Sequence, residues 1–159
     1  MAIDYGSRSI GVALSDELQM TARPLTTIRR QHLKHAEIMQ RICDLTEQHE
    51  IGTLVVGLPL RSDGTSGAAA QRAQSFIAEL RQHLTIPIET CGEYLSSREA
   101  DEILREQGAS HQQRRAKSDE YAAAVILQDY LSARSAKMTL TVSDAQENLP
   151  PGNFITDDQ

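Results

Sequence analysis

The first sixteen residues, Met1 to Asp16, constrain this chain more than any other stretch, because they set a carboxylate inside a strand. Ile10, Val12 and Leu14 alternate with Gly11 and Ala13, the period of a half-buried strand, and Ala2 to Tyr5 reads as a shorter strand feeding it. Gly6 and the polar Ser7, Arg8 and Ser9 supply a tight turn between them, which predicts a hairpin with Asp4 near the end of its first strand. Asp is depleted in strands, since its side chain competes for nearby backbone groups and is costly to desolvate. Two accounts of Asp4 are open at this point: a strand-end carboxylate bonding the turn amides, or a functional group that the sheet holds in place.

Downstream the period changes twice. Pro24 to Arg29 is β-rich and predicts a third antiparallel strand, whose Pro suits a strand start or an edge. From Lys34 to Glu50, Ile38, Met39, Ile42 and Leu45 recur at three- and four-residue steps, the stripe of an amphipathic helix that Gly52 would end. Thr53 to Val56 is a continuous apolar run, as in a strand covered on both faces. Gly57 to Gly67 is too polar and glycine-rich to be regular, and Thr65 or Ser66 can cap a helix striped with Ala69, Ala73, Phe76, Ile77, Leu80 and Leu84. Ile86 to Thr90 predicts a short strand with Glu93 just beyond it. Ser96 to Glu99 reads as a capping box for a helix ending at Gly108, and Ser118 can cap a last helix reaching about Ala133. The basic run between these two helices, His111 to Lys117, has no hydrophobic period and reads as a loop.

Three strands, helix, strand, helix, strand and two helices imply an α/β architecture. A three-strand antiparallel meander joins two parallel strands in one mixed sheet, with helices on both faces. The expected domain is 1–134, followed by an acidic, flexible tail over 135–159 that carries Pro150, Pro151 and Gly152.

Charge bears on partners. The chain carries −6 overall, but from Leu140 onward there are four acids and no Lys or Arg, so the preceding 139 residues carry −2. A nearly balanced body with one compact basic run is compatible with phosphate contacts. Absence of Trp and scarcity of other aromatics argue against base stacking as the main source of affinity. Cys43 and Cys91 have no metal-ligand spacing and suggest no disulfide framework, which fits a reducing cytoplasm. No apolar run is long enough for a membrane span. His32 and His35 form an H-x-x-H pair with no third ligand evident, which favours a surface role over zinc.

Three acids stand out by location: Asp4 on the first strand, Glu93 past the last strand and Asp119 at the start of the last helix. Asp119 shares a helix face with Ala122, Ala123 and Ile126, so it points where the apolar stripe points. With the first strand central, the three acids can converge at one edge of the sheet. Carboxylates gathered in a partly dry place repel, and Mg²⁺ or Mn²⁺ relieves that repulsion with hard oxygen ligands. Two such ions ready a water for in-line attack on phosphorus and stabilise the departing oxygen. Plainer accounts stand beside this one: Asp119 favouring a helix dipole, Glu93 as a solvated loop residue, and Arg114, Arg115 and Lys117 as a solvated face.

Read together, Asp4-Tyr-Gly-Ser-Arg8-Ser-Ile-Gly-Val, Val55-Val-Gly-Leu-Pro59 with Asp63-Gly64, Glu93-Tyr-Leu-Ser-Ser and Asp119 leading Ala122 to Gln128 resemble the YqgF/RuvX family. These bacterial proteins are named as pre-16S rRNA nucleases and share the RNase H-like fold with Holliday junction resolvases. The resemblance covers Ala2 to Leu131. It implies that Asp4, Glu93 and Asp119 are metal-binding catalytic acids using Mg²⁺ or Mn²⁺, and that Arg8, Arg114, Arg115 and Lys117 contact nucleic-acid phosphates. The function so implied is metal-dependent endonucleolytic processing of the 5′ end of pre-16S rRNA in the cytoplasm, on naked precursor rRNA or on a ribosomal particle. Cutting of branched DNA is the enzymatic rival. Binding without catalysis is the other, since the family's usual Asp-Glu-Arg is Gly92-Glu93-Tyr94 here.

Overall fold

The structure is a computed structural model that describes residues 1–59, 67–93, 102–103, 105–106 and 111–147, the side chains of 93, 111–117 and 137–147 excepted. The hairpin at its start is the one the sequence predicts. Strand β1 (Ala2–Tyr5) pairs antiparallel with β2 (Ser9–Ser15), and Asp4 lies directly opposite Gly11. In the turn between them the Gly6 N–H donates to the Ser9 carbonyl at 3.0 Å. A Cβ on Gly6 would stand 2.6 Å from that same oxygen, so only glycine closes the turn this tightly. Strand β3 (Ala22–Arg29) extends the meander antiparallel to β2, with one register shift between Val12 and Ala13. The connection from β2 to β3 is held by Asp16, whose Oδ1 accepts from the N–H groups of Met20 at 2.8 Å and Thr21 at 2.9 Å. Those two bonds hold the Asp16 carboxyl below the usual carboxylate range.

Helix α1 (His35–Gln48) follows, with Lys34 as its N-cap and the Glu37 carboxylate accepting the Lys34 N–H at 2.6 Å. Its end differs from the expectation. The left-handed residue is Glu50, at φ 50°, and the Ile51 N–H bonds back to the Thr46 carbonyl at 2.9 Å, so Gly52 lies beyond the terminus rather than forming it. Strand β4 (Leu54–Pro59), helix α2 (Ala68–His83) and strand β5 (Ile88–Glu93) complete a βαβ unit. Gly67, not a hydroxyl side chain, precedes α2 as its cap; Thr65 and Ser66 lie outside the described residues. Of the helix expected over 96–108, only 102–103 and 105–106 are described, and they are helical.

The five strands form one sheet in the order β3-β2-β1-β4-β5, with β1–β4 and β4–β5 parallel. The first strand is therefore central. Helices α1 and α2 cover one face, where Ile3, Ile10, Val12 and Val56 meet Ile38, Met39, Ile42, Phe76, Ile77 and Leu80. Helix α3 (His111–Glu147) covers the other, where Ala2, Ala13 and Val55 meet Ala123, Ile126, Leu127 and Leu131. Strand β2 is thus buried on both sides rather than one, because the small residues alternating with its large ones face a helix instead of water.

Helix α3 corrects two expectations. It begins at His111, so the backbone of Arg114, Arg115 and Lys117 is helical rather than a loop, and Ser118 is not its cap. It also continues past Ser135 to Glu147, so the first part of the expected tail is helix; 148–159 lie outside the described residues. A helix needs no apolar stripe to continue past its packed turns, because backbone bonding propagates from the packed centre at one residue per bond.

Polar ties also fix α3 on the sheet. The Tyr130 hydroxyl donates to Glu89 on β5 at 3.0 Å, and burial, then that carboxylate, pushes the phenol's pKa up. The Gln128 amide clamps the end of the β2–β3 connection, accepting the Ala22 N–H at 3.0 Å and donating to the Met20 carbonyl at 3.1 Å. Gln128→Ala removes both bonds, and because the Met20 carbonyl is open to water we expect it to cost about 0.5 to 1.5 kcal/mol, read as a lower urea midpoint with an unchanged m-value.

Candidate active site

Side chains alternate along a strand, so Asp4 shares the α3 face with Ala2, while Ile3 and Tyr5 face α1 and α2. Opposite it on β2, Ser9, Gly11 and Ala13 lie on that same face. Gly11 is where helix and sheet come closest. A Cβ built there would stand 1.8 Å from the main-chain oxygen of Asp119 and 2.9 Å from the nitrogen of Glu120, so the absent side chain is the space that the helix backbone occupies. With Asp4 and Gly11 paired at about 5 Å between Cα atoms, this contact sets the Asp119 backbone over the strand residue that lies opposite Asp4. Asp4 and Asp119 are both half-buried.

Asp119 is also held from the sheet, since the Ser9 hydroxyl donates to its Oδ2. Because α3 starts at His111, Asp119 sits more than two turns inside the helix. The favourable end of the helix dipole, confined to the first turn, does not explain it. Asp4 sits one residue from the C-terminal end of β1, and β4 and β5 end on the same side of the sheet because they run parallel to it. Glu93 is the last residue of β5, in register with Pro59, rather than just past the strand. Two strand spacings of about 4.8 Å separate β5 from β1. Its side chain lies outside the described residues, as do those of Arg114, Arg115 and Lys117. Arg8 is exposed in the β1–β2 turn at this end.

Among the described residues no group of three His, Cys, Asp or Glu is assembled as a metal site. Asp4 and Asp119 nevertheless have the chemistry that Mg²⁺ or Mn²⁺ asks for: hard carboxylate oxygens on half-buried residues. Sequence reasoning missed Ser9 and Gly11. The signal was present, since Ser9, Gly11 and Ala13 are the small residues in one phase of β2, and small residues in phase mark a face that a helix backbone can approach.

A family model described as "RuvX: Holliday junction resolvase" matches residues 1–133. The chain belongs to the RuvX family. Similar proteins include a "Putative pre-16S rRNA nuclease" of Anaeromyxobacter sp. (strain Fw109-5), 43% identical over 136 residues, or 86% of this chain and 98% of that one. Another of that name, from Symbiobacterium thermophilum, is 40% identical over 153 residues, 96% of each chain. Among solved structures, T. thermophilus RuvC in complex with a Holliday junction substrate superposes with a TM-score of 0.52 at 16% identity, over 84% of this chain and 93% of that one. That likeness shows the fold, which is the RNase H-like arrangement expected of the RuvX family. No described helix is long and apolar enough to cross a membrane.

The contact at Gly11 is open to test. Gly11→Ala forces the α3 backbone off the sheet, and we expect a loss of about 2 kcal/mol or more in urea denaturation. Gly11→Val should be worse, whereas Ala13→Gly, one step along the same face, removes a methyl without moving Asp119.

Proposed function

We propose that this nuclease hydrolyses phosphodiester bonds of precursor 16S rRNA near the 5′ end, with Asp4, Glu93 and Asp119 as its catalytic acids. The observation that carries the reading is the approach of the Asp119 backbone to Gly11, the strand residue that pairs with Asp4, near the C-terminal ends of the parallel strands. Glu93, two positions beyond Cys91 at the end of β5, is the third acid in this reading. The three carboxylates would hold Mg²⁺ or Mn²⁺, which when bound supplies charge for the attacking and departing oxygens.

The chain's own contribution is placement. The central strand and the helix fix Asp4 and Asp119 before substrate arrives, and the Ser9 hydroxyl orients one oxygen of Asp119. A water on the acid face attacks phosphorus in line as the bond to the leaving oxygen breaks. The water's proton passes to solvent or a carboxylate, and the departing oxygen takes up a proton. Arg8, with Arg114, Arg115 and Lys117 on the first turns of α3, would neutralise flanking phosphates. The RNA assignment draws on the names of the relatives. The description of the family model keeps branched DNA as the second substrate to be offered.

Purified protein with Mg²⁺ or Mn²⁺ is to be given a precursor-rRNA fragment and, separately, a four-way DNA junction. We expect RNA cleavage, a fall in kcat on the order of 10²-fold or more for Asp4→Asn and for Asp119→Asn, and unchanged thermal unfolding of both variants. Cleavage by Asp4→Asn at the parent rate removes these acids from the chemistry, and cutting of the junction alone reassigns the substrate.

A further inference from the structure

The same end of the sheet carries a second polar concavity, on the face away from α3. Tyr5, the neighbour of Asp4, faces it, and its ring stacks on Phe76 of α2 at 4.3 Å between centroids. The Arg30 guanidinium lies over the Tyr5 ring, 4.8 Å from its centre, and donates through Nη1 to the Gly6 carbonyl at 2.9 Å. One of its five N–H donors is thereby committed, and the group is held in a fixed place with the others to spend. Around it are two depressions of about 390 and 350 Å³ that share His35. The first is lined by Tyr5, Arg72, Ser75 and Phe76, the second by Ser7, Arg8 and Arg30.

The charge here is one-sided. Among the described residues, three arginines, Arg8, Arg30 and Arg72, line the two depressions, and the one acid lining them, Glu79, is paired with His35. A chain of net charge −6 has gathered three cations at one place, and Arg30 among them is held by the Gly6 carbonyl and the Tyr5 ring. Helices α1 and α2 both begin at this end, at His35 and Ala68, and add the positive ends of two helix dipoles. A single small anion would meet one depression, whereas the pair is elongated and open, and it starts one residue from Asp4.

Resting on the nuclease reading above, we infer that Arg30 and Arg72, with Arg8, form a track for the sugar-phosphate backbone of the nucleic acid beyond the scissile bond. The substrate passes from the acid face over the end of β1 onto the α1–α2 face. Phosphates lie along the arginines and Arg30, stacked on Tyr5, sets their register.

The test is equilibrium binding of a labelled single-stranded RNA to full-length protein in EDTA, by fluorescence anisotropy across a salt series. Arg72→Gln should weaken binding on the order of fivefold and flatten the slope of log K against log salt by about 0.7, and Arg30→Gln combined with it by about 1.4. Arg81→Gln, the same charge change in the last turn of α2, is the control and should leave the slope alone. Arg72 is exposed, so should Arg30→Gln fail to fold, Arg72→Gln carries the test. Equal slopes for Arg72→Gln, Arg81→Gln and the parent overturn the track. So does loss of inorganic tripolyphosphate binding by Arg72→Gln with its RNA slope intact, which would mark a small-anion site. Either result leaves the nuclease reading standing, because that reading falls only on the cleavage assay with Asp4→Asn.

Discussion

The approach of α3 to β2 at Gly11 is the contact on which the rest of the arrangement depends. A helix backbone can rest on a strand only where the strand has no side chain, and here the main-chain oxygen of Asp119 takes the place of a Cβ. That one contact sets the height of the helix over the sheet, and Asp4, paired with Gly11 on the central strand, lies beside it. The apolar packing of Ala123, Ile126 and Leu127 on Ala2, Ala13 and Val55 supplies the driving force. Gly11 and Ser9 convert it into a fixed position for the Asp119 carboxylate, over the strand pair that carries Asp4.

The sheet supplies the other half of the geometry. Because β1 is central and β4 and β5 run parallel to it, the chain reverses direction at one end of the sheet after each of these strands, and ligand sites of open α/β sheets lie at such ends. Acids near the ends of β1 and β5, cations in the β1–β2 turn and the starts of α1 and α2 are all delivered to that end. On the far face, Tyr5 and Phe76 join this rim to the main core, so an arginine placed on Tyr5 is anchored to that core.

Local pattern went far with this chain. The hairpin, the helical stripe of Ile38, Met39 and Ile42, the buried strand at Val55 and Val56 and the α2 stripe of Ala73, Phe76, Ile77 and Leu80 were all legible, because each is enforced by burial at a fixed period. Helix α3 was misjudged at both ends for the same reason: the pattern marks only the turns that touch the sheet, while the backbone continues beyond them. The end of α1 was misplaced because Glu50 adopts a left-handed conformation that sequence habit assigns to glycine.

By itself, the sequence determined which residues are buried, which strands they make, and that Asp4 and Asp119 are acids in positions where acids are costly. Periodicity carries that information, since it acts within a few residues. Only the tertiary structure decided that β1 lies in the middle, that Gly11 receives the backbone of Asp119 from 108 positions further along, and that Ser9 bonds its carboxylate. Arg30 and Arg72 carried no signal at all, being ordinary surface arginines until the end of β3 and the start of α2 bring them to two depressions that share His35. Such placements come from the packing of whole elements on one another, and no local period records where a distant element lands.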